Sequence, residues 1–274
     1  MQYLIGFFIA LFIALTGVGA GTVTVPVLVL FLGVPAPVAV GVGLMFSAAV
    51  KLILVPAQIA RRNVAWRTLG YMMLGGTPGV LVGSLILKHL INAGSANLLN
   101  AILGAILVST ASWQIFYSFR PMREDSDARD RSPLLSWLMF PVGAEVGFSS
   151  AGAGALGSAA LLSLTPLAPA QVVGTDIAFG FLVSLIGSGA HWFTHATNPA
   201  LLLQLVIGGA AGAVFGTMLS KRLPRRPLRF ALWVWLLILG SQFLFNSYHV
   251  WAATRGTKPA NANSLSNREA GGSR

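Results

Sequence analysis

There is no cysteine among the 274 residues. That excludes a disulfide framework, a thiolate metal site and a cysteine nucleophile. Charge is scarce too. Only 9% of residues are Asp, Glu, Lys or Arg, where a soluble domain carries about 25%. Of the acids, only Glu145 and Asp176 lie in apolar surroundings. No Ser/His/Asp constellation and no H-E-x-x-H motif is present, so nothing points to an enzyme. Gly17-Val-Gly-Ala-Gly21 lies in an apolar run without the strand and acidic partner of a dinucleotide fold. Neither a cofactor nor ATP use within the chain is implied.

What is abundant is apolar. Hydrophobic residues make up 55% and mean hydropathy is +0.76, as in an all-α polytopic membrane protein. The formal charge is +11. Its basic residues sit in short loops between apolar runs, the pattern of topology signals and not of a nucleic-acid face. The N-terminus has no positive n-region and its apolar run outlasts a typical signal h-region. It is expected to stay on as structure.

That first run, 2–32, is too long for one untilted span of about 20 residues. It is broken in the middle at Thr16-Gly-Val-Gly-Ala-Gly-Thr22, and Pro26 follows. Glycine lowers helix preference and lets backbones approach closely. The device returns at Ser149-Ser-Ala-Gly-Ala-Gly-Ala155, an offset of 133 residues from Gly19 to Gly152. Without a gap, the same offset carries Gly21, Gly41, Gly75, Gly76, Gly79 and Gly83 onto Gly154, Gly174, Gly208, Gly209, Gly212 and Gly216. A duplicated unit is the expected reading.

Each half then predicts one broken segment and three helices: 2–32, 36–57, 68–87 and 97–118, then 134–165, 168–192, 200–220 and 229–250. The expected organisation is a first repeat over 1–119, a polar linker over 120–133, a second repeat over 134–250, and a polar, disordered tail over 251–274.

The basic residues favour inverted repeats. Suppose each broken segment is re-entrant. Arg61, Arg62, Arg67, the linker arginines and the basic residues of 221–229 then share one side, with Lys88 opposite them. The tail's Arg255, Lys258, Arg268 and Arg274 weaken this by joining Lys88. If each segment instead crosses once, the repeats are parallel and neither side is favoured.

Inverted broken helices bring their breaks together near the bilayer midplane. Helix N-termini there offer unpaired N–H groups to an anion. The expected substrate-binding residues are Thr16, Gly17, Gly19, Gly21, Thr22, Ser149, Ser150, Gly152, Gly154 and Thr175. The competing reading is that glycines and hydroxyls only pack helices. Lys51, Glu145 and Asp176 are the charge or coupling candidates, since charge at depth is costly and often functional. Lys51 could equally snorkel to the surface, and Asp176 could equally be a neutral structural residue. His191 and His195 are four apart near a helix end. They read as interfacial beside Trp192, and no metal site is expected.

These residues resemble the TauE/SafE sulfite exporter family, the toluene-sulfonate uptake permeases. The likeness rests on Gly17-Val-Gly-Ala-Gly with Pro26, on Arg61-Arg-Asn-Val-Ala-Trp-Arg67 leading into Gly75-Gly-Thr-Pro-Gly79 and Gly83, and on Gly208-Gly-Ala-Ala-Gly212, Gly216 and Lys221-Arg-Leu-Pro224. Ala20 and Ala153 interrupt the family's glycine run, and Ala159 stands where the first half has Pro26. The resemblance implies a carrier of sulfite, sulfonates or related small anions, driven by an ion gradient, in the bacterial inner membrane. The expected function is a secondary anion transporter working by alternating access. An anion pore and a non-transporting membrane scaffold are the alternatives. Expected partners are the anion, the bilayer and a coupling proton or cation, with no nucleic acid. Homo-oligomerisation stays open.

Overall fold

The structure is a computed structural model that describes residues 2–16, 19–118, 131–151, 154, 156–192, 199–219 and 225–256. Among these there are ten α-helices and no strand. They are α1 (Gln2–Thr16), α2 (Ala20–Leu32), α3 (Ala36–Ala60), α4 (Trp66–Asn92), α5 (Ala96–Ser118), α6 (Leu134–Ser149), α7 (Leu156–Leu164), α8 (Pro169–Trp192), α9 (Pro199–Leu219) and α10 (Arg225–Gly256). Six are long and apolar enough to span a membrane: α3, α4, α5, α8, α9 and α10. The chain is a multi-pass membrane protein. Residues 120–130 of the expected linker and 257–274 of the expected tail lie outside the described residues.

Both expected breaks are present, between α1 and α2 and between α6 and α7. Some boundaries differ from the pattern. Helix α3 runs through Pro56 to Ala60 instead of stopping near it. Proline removes one backbone N–H, and membrane helices tolerate that where neighbours satisfy the freed group. Helix α4 takes in Trp66 and Arg67, which the pattern leaves in a loop.

The short α2 is buried from Gly21 to Leu28, in the middle of the molecule. Leu74, Leu81, Leu85, Leu203 and Phe215 on α4 and α9 face outward, as apolar side chains do where the surroundings are lipid.

The helices pair across the halves: α4 packs along α6, α1 along α9, α3 against α8 and α5 against α10. Glycines set the first two contacts. Gly75, Gly79 and Gly83 lie under the carbonyls of Ser136, Phe140 and Ala144. Gly208, Gly212 and Gly216 lie under those of Tyr3, Phe7 and Leu11. Gly76 lies under the Phe179 ring, and Gly209 under the Phe46 ring. The offset that aligns the glycines thus also aligns what they touch. A side chain at any of them would strike backbone or a packed ring. Close approach of this kind replaces the hydrophobic drive that lipid removes.

The partners rise in number together, so α4 runs parallel to α6 and α1 to α9. Corresponding helices do the opposite. Ser47 bonds Ser184 at 3.0 Å, Leu44 meets Gly187 and Asn63 meets Gly174, so α3 and α8 are antiparallel. Gly104 meets Phe243, and Gly240 meets Val108, so α5 and α10 are antiparallel too. The Arg131 N–H donates to Leu164 O at 3.0 Å. The start of α6 therefore lies beside the end of α7, and this broken segment enters and leaves on one side.

Candidate functional site

The first break ends α1 at Thr16, whose Oγ1 donates back to Phe12 O at 2.6 Å. A hydroxyl engaged this way competes with the helix's own bonds. Gly19 precedes α2 with no side-chain cap, and the Thr22 N–H reaches Gly19 O at 3.2 Å. Gly17 lies outside the described residues.

The second break begins at Ser150, which adopts the left-handed conformation with φ of 61° and donates its N–H to Val146 O. Such a φ costs a non-glycine residue strain and gathers at functional sites. Ser149 Oγ donates to Glu145 O at 2.8 Å and accepts the Ala151 N–H at 3.2 Å. Ser150 Oγ is buried and has no hydrogen-bond partner among the described residues. Gly152 lies outside the described residues.

The two breaks touch. A Cβ on Gly19 would stand 3.2 Å from Gly154 N and 3.3 Å from Thr22 Oγ1. Gly21 lies directly against Ser150, and a Cβ on Gly43 would stand 3.1 Å from Ser150 Oγ. Glycine here makes the close approach of two irregular backbones feasible, inside protein, as lipid would demand.

A cavity of about 430 Å³ starts at Gly19 and Gly154. Its polar wall is Lys51, Gln58, Arg61, Asp176 and Thr217, and its apolar wall includes Ile13, Leu54, Ile177 and Met218. Lys51, Leu54, Gln58 and Arg61 share one face of α3 by helical spacing. The cavity therefore runs along α3 from the breaks to the exposed Arg61. Lys51 is 5% exposed and Asp176 4%, and the two interact electrostatically. Lys51 is thus buried beside an acid rather than snorkelling. Asp176 Oδ2 accepts the Ser158 hydroxyl at 2.7 Å, tying α8 to α7.

Not every expected residue gathers here. Thr175 Oγ1 accepts the Ala65 N–H at 3.0 Å, which pins the α3–α4 turn to α8. Glu145 accepts the Thr110 hydroxyl at 2.7 Å and lines a separate cavity of about 510 Å³ between α4, α5 and α6. His191 is not interfacial: it is 1% exposed, with Nε2 3.1 Å from Gly147 O. His195 and the Trp192 side chain lie outside the described residues. Among the described residues no cluster of three or more His, Asp or Glu could hold a metal. Sequence reasoning missed Gln58 and Arg61 as cavity residues. They stand seven and ten residues after Lys51, but the expected helix stops at 57, and only the continuation of α3 through Pro56 to Ala60 brings them onto the face of Lys51.

This pairing of two broken helices inside a bundle of spans accompanies a match in sequence. The family described as "Sulfite exporter TauE/SafE" matches residues 3–243. The chain belongs to that family. A TauE/SafE protein is a membrane transporter and not an enzyme. The chain is also 28% identical over 249 residues to a Bacillus subtilis (strain 168) protein described as "Probable membrane transporter protein YjnA", covering 88% of this chain and 98% of the relative. No solved structure matches it.

Proposed function

We propose that this TauE/SafE transporter is a secondary carrier of small anions, sulfite or an organosulfonate, and that the anion sits where the two breaks meet. The observation that carries this is the junction of Gly19 and Gly154 at one end of a cavity whose other polar groups include Lys51 and Arg61. A helix start leaves its first N–H groups without intrahelical partners, and the starts of α2 and α7 add their positive dipole ends there. The buried, unpartnered hydroxyl of Ser150 is a further donor beside the junction. Thr16, Thr22 and Ser149 shape the breaks from either side. Gly17 and Gly152 belong to the same proposal by sequence.

The halves 1–119 and 134–250 act as inverted repeats joined by a linker at 120–133 and followed by a tail at 251–274. The antiparallel α3–α8 and α5–α10 pairs support inversion, because parallel repeats would run corresponding helices the same way. The cavity reaches the surface along Arg61. Alternating access then closes this route and opens its counterpart along α8.

Flux of radiolabelled sulfite into proteoliposomes, with and without a pH gradient and with sulfonates and carboxylates as competitors, tests the reading. A carrier gives saturable flux that responds to the gradient, and Gly19→Leu abolishes it in folded protein. Unsaturable flux independent of any coupling gradient points to a pore. No flux of any anion returns the protein to a scaffold role.

A further inference from the structure

Ser158 makes two short contacts with a single proton. Its Oγ lies 3.0 Å from Gly154 O and 2.7 Å from Asp176 Oδ2. A hydroxyl donates once, and an ionised carboxylate and a carbonyl only accept. With Asp176 ionised, the Ser158 proton serves one acceptor and leaves the other contact unmet. With a proton on Oδ2, both contacts become hydrogen bonds. The Asp176 O–H donates to Ser158 Oγ, and the Ser158 O–H donates to Gly154 O.

We propose that Asp176 is the proton-binding site of the transport cycle, and that Ser158 links its protonation to the break at Gly154. This deepens the anion reading of the same cavity and rests on it. The proton comes from cavity water, a hydronium becoming water as the Oδ2–H bond forms, and it leaves by the reverse step. Protonation changes the cavity's charge. Ionised Asp176 offsets Lys51; neutral Asp176 leaves the Lys51 ammonium, with Arg61 further along the wall, for an incoming anion. Proton and anion each raise the other's affinity, by linkage. The pair moves together, as a symport.

The surroundings agree. Of the elements packed against α8, α3 faces Asp176 with Lys51, α7 brings the uncharged Ser158 and Gly157, and α4 brings Met72 to this spot. The acid on α6, Glu145, lines the other cavity. Its carboxyl accepts the Thr110 hydroxyl, a single contact that an ionised carboxylate also satisfies.

The test uses the full chain in lipid nanodiscs, with p-toluenesulfonate as probe because it stays a monoanion between about pH 5 and pH 8. Binding is expected to take up about one proton per anion from weakly buffered solution. Affinity is expected to fall by up to about tenfold per pH unit as pH rises. Asp176→Asn should abolish proton uptake and flatten the profile, while Glu145→Gln keeps both. Infrared spectroscopy gives a readout that needs no anion. The carbonyl band of a protonated carboxyl should vanish in Asp176→Asn and shift in Ser158→Ala, which folds with the carboxyl still present. Proton uptake and the band surviving in Asp176→Asn, or vanishing in Glu145→Gln, overturns the assignment. An Asp176 band without binding of any anion leaves the proton site standing and removes the anion reading. Anion binding with a flat pH profile and no Asp176 band does the reverse.

Discussion

The residues that line the cavity along α3 and those the 133-residue offset pairs with them sit in opposite surroundings. The 133-residue offset carries Lys51 onto Ser184, Gln58 onto His191, and Gly43 onto Asp176. Lys51 and Gln58 on α3 line open space, with Asp176 of α8 on the same cavity, whereas Gly43 packs against Val25 and Ser150. On the α8 side Ser184 bonds Ser47, His191 bonds Gly147 O, and Leu44 and Val80 fill the space over Gly187. The glycine contacts between helices keep the symmetry, yet the polar chemistry does not. Packing against backbone constrains both halves alike, since a Cβ would collide in either. Charge at depth is expensive, so one set suffices if a single site is shared between two routes.

The largest effects should come from breaking what the halves share. Gly83→Leu would drive a side chain into Ala144 O, and Gly216→Leu would do the same at Leu11 and Ala14. Each should cost about 3 kcal/mol, the upper end for overpacking, and sharply lower the yield of folded protein in detergent. Equal damage at both positions is the expectation; a tolerated leucine at one of them would mean that the halves do not pack alike.

Charge should matter on one side only. Lys51→Met removes the cation nearest the breaks, and loss of a charge-assisted contact is about 1.5–3 kcal/mol, or roughly 10- to 150-fold in anion affinity. At the matching place Ser184→Ala loses a neutral hydrogen bond of about 1 kcal/mol. It should release the closed route by about fivefold. Since the chain has no cysteine of its own, a single cysteine at Leu44 reports that change as faster thiol labelling. Unchanged labelling would argue that the Ser47–Ser184 bond does not help to hold the α8 route shut. Single cysteines near Asp127 and Arg226 should meanwhile label from one side of the membrane, as inverted repeats require.

Much of the fold could be read from sequence because lipid makes it so. Spans need long apolar runs, and close helices need small residues; the runs, the breaks and the glycine register all followed. What brings the site together was harder to read. Lys51 and Asp176 line one cavity and interact electrostatically, but the 133-residue offset pairs neither with the other and gives no hint of it. Thr175 stands beside Asp176 in sequence and reads as a site residue. In the fold its hydroxyl is turned to the Ala65 N–H. Helix phase decides this, and neighbouring residues on a helix point about 100° apart. His191 resembled an interfacial histidine by its place near a helix end. The close packing of α8 on the interior buries it against Gly147 instead. Pro56 reads as a stop, yet the helix passes through it.

The smallest effect should separate the cavity at the breaks from the one that Glu145 lines. Glu145 and Thr110 have Phe12 and Phe243 at their matching places, so this polar pair too exists once. It lines the cavity between α4, α5 and α6, beside Ile102, Ile106 and Trp113, and shares no lining residue with the cavity at the breaks. Thr110→Val deletes the hydroxyl that donates to the Glu145 carboxyl. The cost should be about 1 kcal/mol of stability, seen as a small drop in melting temperature. Anion affinity should stay within about twofold of the parent, because no group of the α3 route moves. A tenfold loss of affinity from so conservative a change would show that the lateral cavity takes part in transport, and that charge at depth serves two sites here instead of one.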